Sequence, residues 1–115
     1  MLLIESVVLA KMFGAIFERL GWTVAICTSR DCAMSEVAGS KPYDVILLNY
    51  HVPGTNGVDL IRFIRSLEHR MTTAVVMITD VGALTDEAKA AGADEVLIEP
   101  VNLSTLIWAV NKHVP

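Results

Sequence analysis

Two uninterrupted apolar runs, Val45-Ile46-Leu47-Leu48 and Ala74-Val75-Val76-Met77-Ile78, constrain this chain more than any other feature. A strand that faces water on one side alternates apolar with polar residues. One with no polar position is covered on both faces, as in a parallel sheet between helices. The segments around these runs carry a helical period instead. Leu9, Met12, Phe13, Ile16, Phe17 and Leu20 recur three and four apart, and Gly21 follows as a helix stop. Leu2-Leu3-Ile4 reads as a first strand, and Val24 to Cys27 as a weaker one suited to a sheet edge. A short helix over about 30–38 has Ser29 as its N-cap, and 39–42 is a loop. Leu60, Ile61, Ile64 and Leu67 mark a third helix, and an alanine-rich fourth over about 85–91 is closed by Gly92. Val96-Leu97-Ile98 is the fifth strand, ended by Glu99-Pro100, and Leu103, Leu106, Ile107 and Val110 define the last helix. Strict strand–helix alternation predicts an α/β fold, a doubly wound (βα)5 parallel sheet with right-handed crossovers.

At 115 residues, with no linker or internal repeat, the chain is expected to be one domain over 1–115, standing alone or excised from something longer. Hydrophobic residues at 53% against 19% charged exclude intrinsic disorder. Charges or turn residues break every apolar run short of the roughly 18 residues a membrane span needs. The start, Met-Leu-Leu-Ile-Glu-Ser, lacks the basic region of a signal peptide. No membrane contact and a cytoplasmic location are therefore expected. A net charge of −4 without a basic stripe argues against nucleic-acid binding through this domain. Cys27 and Cys32, five apart, match neither a CxxC pair nor a zinc half-site, and are expected to be buried thiols in a reducing compartment.

Open α/β sheets carry their functional groups at the carboxyl ends of the strands. The residues closing the apolar runs there are Glu5, Asn49, Thr79 and Glu99, with Ser6 and Asp80 one further on. No Walker loop or G-x-G-x-x-G follows any strand. Asn49-Tyr50-His51-Val52-Pro53-Gly54 approaches the D-x-H-x-x-G box of cobalamin-binding domains. It lacks the acid and follows the third strand rather than the first, so His51 reads as a loop residue. Asn56-Gly57 reads as a turn signal, His69 and His113 as solvated or dipole-facing groups near helix ends, and Trp108 as partly exposed.

Three tracts resemble, in order, the receiver domain of bacterial response regulators. Tyr43 through Gly57, with Pro53 and Gly57, is similar to that family's strand-three motif. Val76-Met77-Ile78-Thr79 resembles its fourth strand, and Ala90 through Asn102 its fifth. The resemblance implies a flavodoxin-like fold of strand order 2-1-3-4-5 and a role in two-component signalling or phosphorelay rather than catalysis. In that family an aspartate ending strand three accepts a phosphoryl group, two acids after strand one hold Mg²⁺, and a strand-five lysine pairs with the phosphoryl oxygens. Here those positions are Asn49, Glu5-Ser6 and Glu99, and only the hydroxyl of Thr79 survives. An amide is not the nucleophile that forms an acyl phosphate, and Glu99 reverses a charge that faces phosphate. The expectation is a degenerate receiver with a vestigial pocket of Glu5, Ser6, Thr79 and Glu99 around the former acceptor position, Asn49.

A phosphoaccepting receiver requires Asp at position 49 in the natural protein. The departures at Ser6 and Glu99 speak against Asn49 being an isolated engineered change, and deamidation is disfavoured at Asn-Tyr. A small-ligand or cofactor binder on the same fold has no motif behind it. No resident cofactor is expected, although Glu5, Asp80 and Glu99 together could recruit Mg²⁺ or Ca²⁺ weakly. Residues 80–99 hold six carboxylates against Lys89 alone. In receivers the face of helix four, strand five and helix five docks partners, so the resemblance implies a protein partner there (a signalling kinase, regulator or output domain), with a homodimer left open.

Overall fold

The computed structural model describes residues 1–113. Five parallel strands, β1 (Leu2–Ile4), β2 (Ala25–Cys27), β3 (Val45–Asn49), β4 (Ala74–Thr79) and β5 (Glu95–Ile98), form one sheet. Their order is β2-β1-β3-β4-β5. Helices α1 (Val7–Arg19), α2 (Arg30–Ala38), α3 (Gly57–Ser66), α4 (Thr85–Ala91) and α5 (Leu103–Asn111) connect them.

The two-residue period of the strands divides the core into layers. Leu2, Ile4, Ile46, Leu48, Val75 and Met77 face α2, α3 and α4, packing with Val37, Ile61 and Ala88. Leu3, Val45, Leu47, Val76 and Ile78 face α1 and α5, packing with Phe17, Leu106 and Val110. Each such aliphatic side chain, fully buried, contributes about 1.5–3 kcal/mol, so both faces drive the sheet's closure. β2 is an edge strand, and its Ile26 stays 41% exposed.

Helix boundaries follow local chemistry. Ser6, Ser29 and Asn56 cap α1, α2 and α3 through their side-chain oxygens. Asn56 is thus a helix cap as well as a turn residue, and α3 starts at Gly57, ahead of its first stripe residue. Between β3 and α3, where turn residues predict a turn-rich loop over 51–57, lies a small antiparallel hairpin, with His51 opposite Asn56 and Val52 opposite Thr55. Gly54 turns it at φ 90°.

The cysteines differ most from expectation. Cys27 and Cys32 are not separate buried thiols but one disulfide, Cα to Cα 5.4 Å, with Cys27 buried and Cys32 exposed. The sequence distance is short, and the helix following β2 doubles back at once, so the first turn of α2 returns Cys32 to the strand end.

Arg70, just after α3, is only 2% exposed although an arginine there would ordinarily reach water. Its guanidinium donates to the carbonyls of Val37, Gly39 and Lys41 at the end of α2. His69 Nε2 lies 2.8 Å from the Gly39 carbonyl oxygen, so neighbouring residues close the same helix end.

Candidate functional site

Strand register brings the rim together. Ile4 pairs with Leu48, Asn49 with Ile78, and Thr79 with Ile98. Glu5, Asn49, Thr79 and Glu99 therefore stand within about one residue step of one another along the carboxyl edge of three neighbouring strands and β1. Backbone bonds hold the level: Glu5 N–H donates to Cys27 O at 3.1 Å, and Glu99 N–H to Thr79 O at 2.8 Å.

Glu5 is 4% and Asn49 6% exposed. Asn49 Nδ2 donates to Glu5 Oε2 at 2.9 Å and approaches Glu99 Oε1 at 3.4 Å. Its Oδ1 accepts the His51 backbone N–H at 2.9 Å. That network fixes the amide's orientation, because the flipped rotamer would set an oxygen against two carboxylates and an NH₂ against an N–H. Glu5 Oε1 accepts the Ser6 N–H, and the Ser6 hydroxyl is directed to Leu9 N–H as a helix cap. Thr79 is fully buried, and its Oγ1 accepts the Val81 N–H at 3.0 Å.

Asp80 does not join Glu5 and Glu99. Its carboxylate meets His51 Nε2 at 2.8 Å, both side chains being more than half exposed. The hydrogen bond from His51 holds the Asp80 carboxyl below its ordinary range. The His51 ring in turn stands edge-on to Tyr50 with centroids 5.1 Å apart. This pair, 29 residues apart, left no local signal in the sequence; only the closeness of the β3 and β4 ends creates it.

A divalent ion does not fit this arrangement. Mg²⁺ requires oxygen ligands in near-octahedral order. Between Glu5 and Glu99 lies an NH₂ donor, and among the described residues no three His, Cys, Asp or Glu side chains converge on one point. Of the expected cation cluster, Glu5 and Glu99 share the Asn49 amide as a hydrogen-bond donor, while Asp80 pairs with His51. The amide places its partial positive charge where two carboxylates would otherwise repel each other or one would take up a proton.

The parallel strand order is the one expected of receivers, and comparison with known proteins agrees. Residues 2–111 match the response regulator receiver domain, and the chain belongs to that family. It is 31% identical over 100 residues to the transcriptional activator protein PfeR of Pseudomonas aeruginosa, covering 85% of this chain and 32% of that protein. The chain thus spans about a third of that relative's length. Among solved structures it is similar to the receiver domain of a Pseudomonas aeruginosa sensor histidine kinase with a magnesium ion in its active-site cleft. There the TM-score is 0.83 at 21% identity, over 96% of this chain and 93% of the other. A response regulator protein from Burkholderia pseudomallei with a phosphorylated aspartic acid, calcium ion and citrate superposes with TM-score 0.82 at 24% identity, over 95% and 64%. Receiver domains of this family are regulatory modules and not enzymes.

Proposed function

We propose that this domain is an atypical receiver of a two-component or phosphorelay protein, acting as a phosphorylation-independent protein–protein interaction module in the cytoplasm. One observation carries the reading: the buried Asn49 amide donates to Glu5 and approaches Glu99, so the acceptor position holds a group that is not a nucleophile and turns its NH₂ rather than its oxygen towards the acids. An incoming phosphoryl group would meet two carboxylates and no lysine, and Thr79 Oγ1 accepts a hydrogen bond from Val81 N–H.

The partner surface is the α4–β5–α5 face. Asp86, Glu87, Asp94 and Glu95 make it acidic, and Ile98 and Trp108 are 43% and 61% exposed. Lys112 lies over the Trp108 ring at 4.6 Å and pairs with Glu95. A basic patch with an apolar centre on a kinase, regulator or output domain complements this face, and a second copy of the chain is the other candidate. No helix among the described residues is long and apolar enough to cross a membrane.

The second reading is a phosphoaccepting receiver, with Asp at position 49 in the natural protein. It is favoured by the magnesium ion in one solved relative and the phosphorylated aspartic acid and calcium ion in the other. The test is incubation of the unmodified chain with acetyl phosphate and Mg²⁺, followed by intact-mass measurement. An unchanged mass, with no amide shifts at Glu5, Asn49, Thr79 and Glu99 on adding beryllofluoride, is expected for the interaction module. A stoichiometric phosphoryl adduct on this chain would overturn the interaction module, and an adduct on the Asn49→Asp variant under the same conditions would support the second reading.

A further inference from the structure

The disulfide between Cys27 and Cys32 has no part in the reading above, and its position is informative. Cys27 is the last residue of β2 and 1% exposed, whereas Cys32 lies exposed in the first turn of α2. The bridge spans five positions between elements already joined by a two-residue connection, so it restricts the unfolded chain little and is poorly placed as a stabilising staple. It is well placed for exchange. One sulfur is open to an attacking thiolate. Once freed, the Cys32 thiol sits exposed in the first turn of a nine-residue helix, open to small thiols and disulfides. Buried Cys27 waits within reach to re-form the bond, because the two Cα atoms stand 5.4 Å apart, inside the range a disulfide spans without backbone movement.

The same short segment is tied to the rim on two sides. The Cys27 carbonyl accepts the Glu5 N–H, and the Arg30 N–H donates to the Pro53 carbonyl at 3.0 Å, reaching the loop that follows Asn49. Gly54 packs so close to Arg30 that a Cβ there would lie 3.2 Å from the Arg30 Cβ. A change in the turn over 28–32 therefore reaches both Glu5 and the β3–α3 loop through direct contacts.

We propose that Cys27 and Cys32 form a reversible dithiol–disulfide pair, addressed at the exposed Cys32 sulfur, whose redox state is transmitted to the Glu5–Asn49 rim. The co-reactant is a low-molecular-weight thiol or its disulfide. In reduction a thiolate attacks Cys32 Sγ, the bond to Cys27 breaks, and Cys27 leaves as a thiolate that takes up a proton. A second thiol then attacks the mixed disulfide and releases Cys32. The pair gains two electrons and two protons, and the two small thiols lose the same number as their disulfide forms. The return path is the reverse, with Cys32 as the attacking thiolate. The proposal is independent of whether the rim accepts phosphoryl groups.

The test equilibrates the folded protein with graded mixtures of glutathione and glutathione disulfide, quenches with an alkylating reagent, and reads free thiols by mass. Both cysteines are expected to titrate together as one two-electron unit. The Cys27→Ala variant should form a mixed disulfide at Cys32 about tenfold or more faster than Cys32→Ser does at Cys27. Amide spectra of the oxidised and reduced protein should differ at Glu5, Ser6, Asn49 and Gly54 as well as around residues 27–32. The double variant Cys27→Ala/Cys32→Ser keeps the spectral readout available if a single variant folds poorly, and it should match the reduced pattern at the rim. A bond that thiols reduce only once the chain is unfolded, equal reactivity of the two sulfurs, or spectral changes confined to 26–33 would each overturn the proposal.

Discussion

Asn49 shows how one side-chain group decides what a strand-end rim does. Its NH₂ stands between two carboxylates and donates to both, so the two acids are bridged by a hydrogen-bond donor from within the fold. Asn49→Asp puts a third carboxylate at that point. Like charges at hydrogen-bond distance raise a pKa or recruit a cation. The variant is expected to lose about 1–3 kcal/mol of stability in chelator at neutral pH, and to regain it with millimolar Mg²⁺ or Ca²⁺. The parent chain's melting temperature should ignore both ions, and thermal melts with and without metal check this. Arg70 is the structural counterpart. Its buried guanidinium satisfies carbonyls that the end of α2 leaves without helical partners. Arg70→Met keeps the volume and removes the donors, and is expected to cost about 3 kcal/mol, read as a lower urea midpoint. The sequence disclosed Asn49 because it is the polar residue that closes a wholly apolar strand. It concealed Arg70, since an arginine in a charged stretch normally lies in water.

Elements here are held by their ends as much as by their faces. α3 approaches β3 through Gly57, where a Cβ would lie 2.8 Å from the Tyr50 Cα and 2.9 Å from the Leu48 Cδ1. Backbone cannot yield as a side-chain tip can, so Gly57→Ala is expected to cost about 1–3 kcal/mol and to shift the Tyr50 and His51 amides. α4 is tied down mainly beyond its carboxyl end, with one exposed ion pair in its first turn. Arg65 on α3 donates to the Gly92 carbonyl and to Asp94 beyond α4, and Arg62 reaches Glu87. At the other end Leu84 offers no side-chain cap, and Ala88 is the buried residue of this seven-residue helix. Few buried contacts mean cheap local opening. Amide hydrogen exchange is expected to be faster through α4 than through α1 or α3. Periodicity made α1, α3 and α5 readable, while α4 was visible mainly through alanine content and Gly92.

For the molecule as a whole, stability at high pH depends on a phenol. Burial, followed by the hydrogen bond to Glu36, pushes Tyr43 up to about 12 from an ordinary value near 10. The folded state thus prefers the neutral phenol, and its stabilisation is complete below pH 10. It declines as pH rises from 10 towards 12, because the unfolded chain releases that proton first. Denaturation midpoints should fall across that window, and Tyr43→Phe should remove this component of the fall. The sequence by itself determined the parallel (βα)5 architecture and the strand-end location of the rim, because a strand covered on both faces and a helix with one wet side leave different periodic marks. It also marked Asn49 and Glu99, because each closes an apolar run at a strand end. Only the tertiary structure decided who meets whom: Asn49 with Glu5, His51 with Asp80, Cys27 with Cys32, Arg70 with the end of α2. Those contacts depend on strand register and on the return path of each crossover, and a side chain's pattern along the chain records its face but not its partner.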